Sequence, residues 1–378
     1  WAGGDAGDAG DAGVDKGAAG EGAVSLARAR ELLEGIGVAQ AVASKILGRG
    51  KRAKEARELR HVASALDFLR EIGMTDKERA SFVGRYPSVL RLEAGRLGSK
   101  RAFFQDTLGI SAEQFAKIIY KFPAVLGTAV QGLEERVEFL VSLGLSESDV
   151  ARIASSFPPV LVFSLEEQLR PVTAFLRDDL GISEKDLATV IRKRPQILTC
   201  SVEGNLQPTA SFLVNHIGVP RRDLAGMLKK CPALLTYSID NNLALKWAYA
   251  ETVIGLGVED IVIYPRYFTM SLFERIGPRY SYLVSQGRGH IGLSQMLGRT
   301  DEEFVMKVAR SGSRGHYEQF KAAWKESEGA RWDDPAYLVK VLDPMPAAFV
   351  SPMDPAGELF YGTPGGAGAA AVRKVKDG

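Results

Sequence analysis

Five prolines, Pro87, Pro123, Pro158, Pro195 and Pro232, follow one another at intervals of 36, 35, 37 and 37 residues. Each has a leucine three positions later (Leu90, Leu126, Leu161, Leu198, Leu235) and a glycine fourteen positions earlier (Gly73, Gly109, Gly144, Gly181, Gly218). Five recurrences of one pair of offsets mark a tandem repeat, in which each unit is a supersecondary element stacked on copies of itself. This governs how a chain of 378 residues is divided, because an array lengthens without adding separate cores.

The residues of one unit spell out helix, turn and helix. An apolar stretch with an aromatic residue (Phe68, Phe104, Phe139, Phe175 or Phe212) runs up to the glycine, which suits the left-handed conformation that closes a helix. Two positions past the glycine stands Thr75, Ser111, Ser146, Ser183 or Pro220. Three further comes Glu78, Gln114, Asp149, Asp186 or Asp223, a capping box or near relative that opens a second helix. Inside it Phe82 and Val83, Ile118 and Ile119, Ile153 and Ala154, Val190 and Ile191, and Met227 and Leu228 fall on one apolar stripe. The proline stops this helix, since it lacks an N–H and disfavours helical geometry in the residue before it. Pro-x-x-Leu then predicts one tight turn. Two helices too short to bury their own stripes must stack on neighbours, so the predicted fold is all-α, a curved α-solenoid.

The ends depart from the repeat. Residues 1–22 cycle through Gly, Ala and Asp with almost no bulky apolar side chain, so a flexible arm is expected. Residues 23–60 read as a degenerate N-terminal repeat around Gly37 or a basic helical cap, and 61–310 as the repeat domain. A late degenerate unit places Gly257 only eight residues before Pro265. From 311 to 378 glycine and proline accumulate, predicting a mostly irregular tail with one short helix near Tyr317 to Lys325.

Chemistry-bearing patterns do not accumulate. Cys200 and Cys231 lack CxxC spacing, and His61, His216, His290 and His316 lie far apart without zinc-ligand spacing. Gly48-Arg49-Gly50-Lys51 has neither the spacing nor the preceding strand of a phosphate-binding loop, and carboxylate pairs such as Glu134-Glu135 have no acid–base partner. The sequence therefore predicts no enzyme, no catalytic residue, no metal site and no cofactor. No apolar run approaches the ~20 residues of a membrane helix, so no membrane contact is expected. The cysteine usage fits a reduced compartment, and as the first residue is Trp1 and not Met, no leader is read from this end.

Charge is informative by position only. The formal net charge is +2, from 48 Lys and Arg against 46 Asp and Glu. Yet twelve residues past each repeat glycine stand Arg85, Lys121, Ser156, Lys193 and Lys230, with Arg192, Arg194 and Lys229 beside them, while Glu78, Glu113, Glu147, Glu184 and Asp223 gather at the opposite helix ends. Repetition places four of the five positions in a cationic row. Two readings stay open: cations at helix C-termini complement the macrodipole, and cations about 10 Å apart, the helix-packing distance, suit a phosphate chain.

The repeat with its Phe-Leu approach, its Leu-Gly-Ile/Leu-Ser turn (Leu108 to Ser111, Leu143 to Ser146, Leu180 to Ser183) and Pro-x-x-Leu resembles the mitochondrial transcription termination factor (mTERF) repeat. Pro265, Phe268, Ser271-Leu272, Arg275-Ile276 and Pro278-Arg279 are similar to that family's terminal signature, and Leu293, Leu297 and Thr300-Asp301 with Phe304 to the element after it. The resemblance spans roughly residues 60 to 308. It implies a left-handed superhelix of two α-helices and a short 3-10 turn per repeat, holding double-stranded DNA or structured RNA on a concave basic face. Arg85, Lys121, Arg192, Lys193, Arg194, Lys229 and Lys230 are the candidate contacts from the row, joined by Arg275 and Arg279 of the terminal signature, although Arg279 equally suits a carboxylate partner such as Glu274. The resemblance further implies a monomer in an organelle, chloroplast preferred over mitochondrion, acting in transcription termination or regulation. RNA binding in intron splicing or ribosome assembly, a role beside other organellar gene-expression proteins, and a protein-interaction scaffold are the alternatives.

Overall fold

The computed structural model describes residues 26–48, 61–310 and 313–342. The expected arm at 1–22, the basic stretch 49–60 and the last residues, 343–378, lie outside them. The described residues are helical throughout, with no strand among them. The chain divides into two compact units, Trp1–Val130 and Gln131–Gly378.

In the first unit Leu26–Gly35 and Gln40–Leu47 form a helix pair about Gly37 (φ 91°), the degenerate early repeat. Two full repeats follow. Val62–Glu71 closes at Gly73 (φ 93°), Asp76–Arg85 runs to the 3-10 turn Pro87–Arg91, and Ala94–Ala102 continues through Phe103–Thr107 to Gly109 (φ 64°). Ala112–Lys121 and the 3-10 turn Pro123–Leu126 end the unit. Thr75 with Glu78, and Ser111 with Gln114, form reciprocal capping boxes. Each box satisfies two amides that have no intrahelical partner, and losing such a cap costs ~1 kcal/mol. The stripe residues Phe82, Val83, Phe115, Ile118 and Ile119 are buried together with Val89, Leu90, Val125 and Leu126 of the proline turns.

The second unit repeats the plan. Glu147–Ser156, Glu184–Lys193 and Arg221–Lys230 are second helices of ten residues, each followed by a 3-10 turn: Pro158–Leu161, Pro195–Thr199 and Pro232–Thr236. The first helices over 165–179, 202–216 and 239–254 are continuous, with wider π turns at both ends. In two of them the aromatic before the glycine sets the later π turn, since the Phe175 and Phe212 carbonyls accept from the amides five residues on, Leu180 and Ile217, at 3.1 Å each. A serine six residues after each proline, Ser164, Ser201, Ser238 and Ser271, caps the start of the next helix. Polar residues of these helices also satisfy the proline turns, as where Gln168 donates to the Leu198 and Cys200 carbonyls at 3.2 and 2.7 Å.

Two expectations are corrected here. The left-handed glycine of the late unit is Gly255 (φ 75°), whereas Gly257 (φ −90°) opens the helix and donates its N–H to Asp260 at 3.0 Å. Glycine and proline are thus ten residues apart, and Val258–Ile263 is six residues long where its counterparts are ten. Four residues are close to one 3.6-residue turn. Their loss leaves Ile261 facing inward and fully buried. The second concerns the start of the expected tail, where the short helix expected near Tyr317 to Lys325 is present and more helix follows it. Arg314–Trp324 leads through Lys325–Gly329 into Ala330–Asp333, and Pro335–Leu342 follows. Trp324 lies on Gly277 and donates to the Ser281 hydroxyl at 3.0 Å, and Trp332 packs edge-on to Tyr249 with ring centroids 5.0 Å apart. Burying rings of this size pins these helices onto the array.

Candidate nucleic-acid interface

Helix length places the row. Arg85, Lys121, Ser156, Lys193 and Lys230 are each the last residue of a second helix, because the proline two residues on terminates it. The residue between, at φ −130° to −146°, turns the chain away. All five row residues are exposed.

The macrodipole reading is realised, but between repeats. Lys193 Nζ donates at 2.8 Å to the carbonyl of Lys229, the penultimate residue of the next second helix, and Lys230 Nζ donates at 3.2 Å to that of Val262, its counterpart one repeat on. Arg85 does the same in the first unit, donating to the Tyr120 carbonyl at 3.1 Å with its guanidinium 4.4 Å from the Tyr120 ring centre. Each cation thereby caps a neighbour's orphan carbonyl. An ammonium has three N–H donors, so one such bond leaves capacity for a further acceptor. Lys121, Lys193 and Lys230 form no ion pair with a carboxylate of the described residues. Ser156 interrupts the row in the second unit, its hydroxyl turned back to the Ile153 carbonyl at 3.4 Å. Ile263 holds the equivalent position after Lys230 and is 72% exposed.

The neighbouring cations behave differently. Arg192 pairs with Asp149 at 3.0 Å and Lys229 with Asp186 at 2.5 Å. Both carboxylates belong to the third residue of a second helix and already accept from the capping serine of their own repeat, Asp149 from the Ser146 N–H at 3.4 Å and Asp186 from the Ser183 hydroxyl at 2.9 Å. The Lys229 ammonium, aided by the Ser183 hydroxyl, holds Asp186 below the usual carboxylate range. Partial burial pushes Asp149 up, and hydrogen bonds from Ser146 with the charges of Arg192 and Arg152 outweigh it. Arg194, half-buried, donates to the Thr236 hydroxyl at 3.1 Å.

Of the terminal pair, Arg275 is half-buried and reaches the Met270 sulfur at 3.6 Å. Arg279 is fully buried and has no access to a ligand, which removes it from the candidate contacts. Its carboxylate partner is Asp301 at 2.6 Å and not Glu274, which pairs with Lys321 and Lys325. The sequence reading also missed the inter-repeat ion pairs. Their signal is a carboxylate 43 residues before a cation, Asp149 to Arg192 and Asp186 to Lys229, hidden because the carboxylate already had a role as a cap.

Other chemistry stays sparse. No grouping of three or more His, Cys, Asp or Glu among the described residues is arranged to hold a metal ion. No helix among them is long and apolar enough to cross a membrane. Burial pushes the Cys200 thiol up to about 11, away from the thiolate form that reacts.

No curated protein matches this sequence. A family model for mTERF matches residues 24–179 and again 166–305, taking in every repeat and the proline turn at Pro265. Stacked helix pairs, glycine closures and proline turns at the matched positions agree with that result, and the chain belongs to the mTERF family of helical-repeat, nucleic-acid-binding proteins of organelle gene expression.

Proposed function

We propose that this protein grips double-stranded nucleic acid, DNA in the first place, through the cations at the ends of its second helices, and so acts in termination or regulation of organelle transcription, in the chloroplast before the mitochondrion. One observation carries the reading: Lys121, Lys193 and Lys230 stand exposed at equivalent helix ends without a carboxylate partner among the described residues. Arg85 joins them, with Arg194 and the half-buried Arg275 as further candidates. Ammonium groups spaced by helix packing meet phosphates of any sequence, so binding is governed by counterion release and falls steeply with salt.

The test is binding of the full chain to duplex DNA, duplex RNA and single strands across a salt series. Replacing Lys121, Lys193 and Lys230 together by Glu is expected to abolish measurable binding at moderate salt. The corresponding Met variant retains weaker binding, with a log–log salt slope shallower by about 0.9 per lost phosphate contact. Unchanged affinity in the Glu triple variant eliminates the row. Preference for duplex RNA moves the function to intron splicing or ribosome assembly, and binding to no nucleic acid leaves the scaffold reading.

A further inference from the structure

We infer that Asp149 and Asp186 are positioning residues that withhold a second rank of cations, Arg192 and Lys229, from a bound polyanion, leaving Lys193 and Lys230 as the phosphate contacts of their repeats. The inference rests on the nucleic-acid reading above and adds to it a means of setting how tightly the protein holds.

The same construction occurs twice in register, Asp149 differing in that it also pairs with Arg152 of its own helix at 2.6 Å. The carboxylate at the third position of one second helix takes the cation at the penultimate position of the next, at 3.0 Å for Asp149 with Arg192 and 2.5 Å for Asp186 with Lys229. Beside each masked cation stands a row lysine that donates to a backbone carbonyl, which carries no formal charge. Adjacent residues of one helix end thus differ in net charge presented: Lys229 is offset and Lys230 is not. The masking is not required by the repeat itself. In the first unit the matching positions hold Glu78 and Tyr120, a carboxylate with no cation to take, and these repeats close with the same capping boxes and proline turns. Nor is stability a sufficient reason, because pairs with a cation close to half exposed contribute little to it.

A duplex offers one phosphate per ~3.4 Å along each strand, while helices pack ~10 Å apart, so phosphates outnumber row cations about three to one. Unmasked, Arg192 and Lys229 would take some of them. Masked, they keep the salt slope low and release fast.

The experiment compares neighbouring lysines in the full chain on one duplex DNA, with thermal melting of every variant as the folding control. Lys230→Met is expected to make the salt slope shallower by about 0.9. Lys229→Met leaves it unchanged. Asp186→Asn steepens it by about 0.9 and tightens binding at low salt, and adding Lys229→Met to Asp186→Asn restores the wild-type slope. Should an Asp186 variant not fold, Asp149→Asn with and without Arg192→Met, in a background of Arg152→Met that removes the other partner of Asp149, repeats the cycle at that pair. Equal flattening by Lys229→Met and Lys230→Met, or an unchanged slope in the folded Asp→Asn variants, overturns the mask while sparing the row. An unchanged slope in Lys230→Met removes the row contact at that repeat and the mask with it.

Discussion

The repeats from Gly144 to Gly255 and the terminal segment from Leu272 onward both set cations near a proline but treat them in opposite ways. In the two middle repeats a lysine, Lys193 or Lys230, stands at the last helical position, exposed, with one bond to a neighbour's carbonyl. In the terminal segment Arg279 sits in the first turn of Gly277–Ser285 and is wholly buried. It donates to the Met296 and Arg299 carbonyls at 2.8 and 2.9 Å and to Asp301 at 2.6 Å, with its guanidinium 4.8 Å from the centre of Phe304. A planar fork with five donors can tie three segments together in this way, and a lysine cannot. Position relative to the proline decides the role: two residues before it a cation meets solvent, one residue after Pro278 it meets the core.

The largest effect that can break this contrast comes from Arg279→Met. Removing the guanidinium leaves Asp301 and two carbonyls short of their donor, at a cost of about 3 kcal/mol or more, read as a lowered midpoint in thermal or denaturant unfolding. The folded fraction should keep its nucleic-acid affinity and salt slope. Lys193→Met should do the reverse, lowering the slope with a small change in midpoint. Similar midpoints for the two variants would erase the distinction between strut and contact. Next in size is Gly277→Ala, at ~1–3 kcal/mol, because the added Cβ would come 2.2 Å from the Trp324 ring. A changed tryptophan emission with the repeats still folded would show that 314–342 is a cap held by this contact; an unaltered midpoint would show that Trp324 is free to move aside.

The repeats were legible because each signal in them is local and recurs: glycine closure, apolar stripe and proline stop are separate physical demands that agree five times over, with a capping Thr or Ser at the first four. The row was legible for the same reason, since its place is fixed by the proline. The corrections fall where one residue type serves two ends. Gly257 was taken for the left-handed closure because both closure and cap favour glycine, and only Gly255 has positive φ. Arg279 suited a ligand contact and a carboxylate partner equally, and Asp301, the partner it has, is 22 residues away in sequence and not the nearer Glu274. In the tail the helix carrying Tyr317, Phe320 and Trp324 at helical spacing was legible, whereas Ala330–Asp333 and Pro335–Leu342 after it are too short to show a period. Pairing across repeats, such as Asp186 with Lys229, depends on stacking geometry that no single stretch encodes.

The smallest effect probes where the two regions meet. Lys246 is buried in the last long helix of the array and donates to Asn242 at 2.9 Å and to the Phe268 carbonyl of the final proline turn at 2.7 Å, with the Tyr237 ring centre 5.9 Å away. Tyr267, buried beside it, returns a bond to the Lys246 carbonyl at 2.9 Å. Burial lowers the Lys246 ammonium to about 8 from the ordinary 10.5, while burial raises the Tyr237 and Tyr267 hydroxyls, so neither supplies an anion at that pH. Between about 8 and 10.5 the unfolded chain holds a proton that the native chain has released, so this group makes stability rise with pH across that window, and the gain is lost as pH falls through about 8. Lys246→Met removes the titration, as other lysines contribute alike to both proteins. The wild type should therefore gain on the variant in denaturant unfolding as pH is raised from 8 to 10.5. A difference that stays flat would mean that Lys246 titrates like a surface lysine and that the final turn is held by its apolar residues alone.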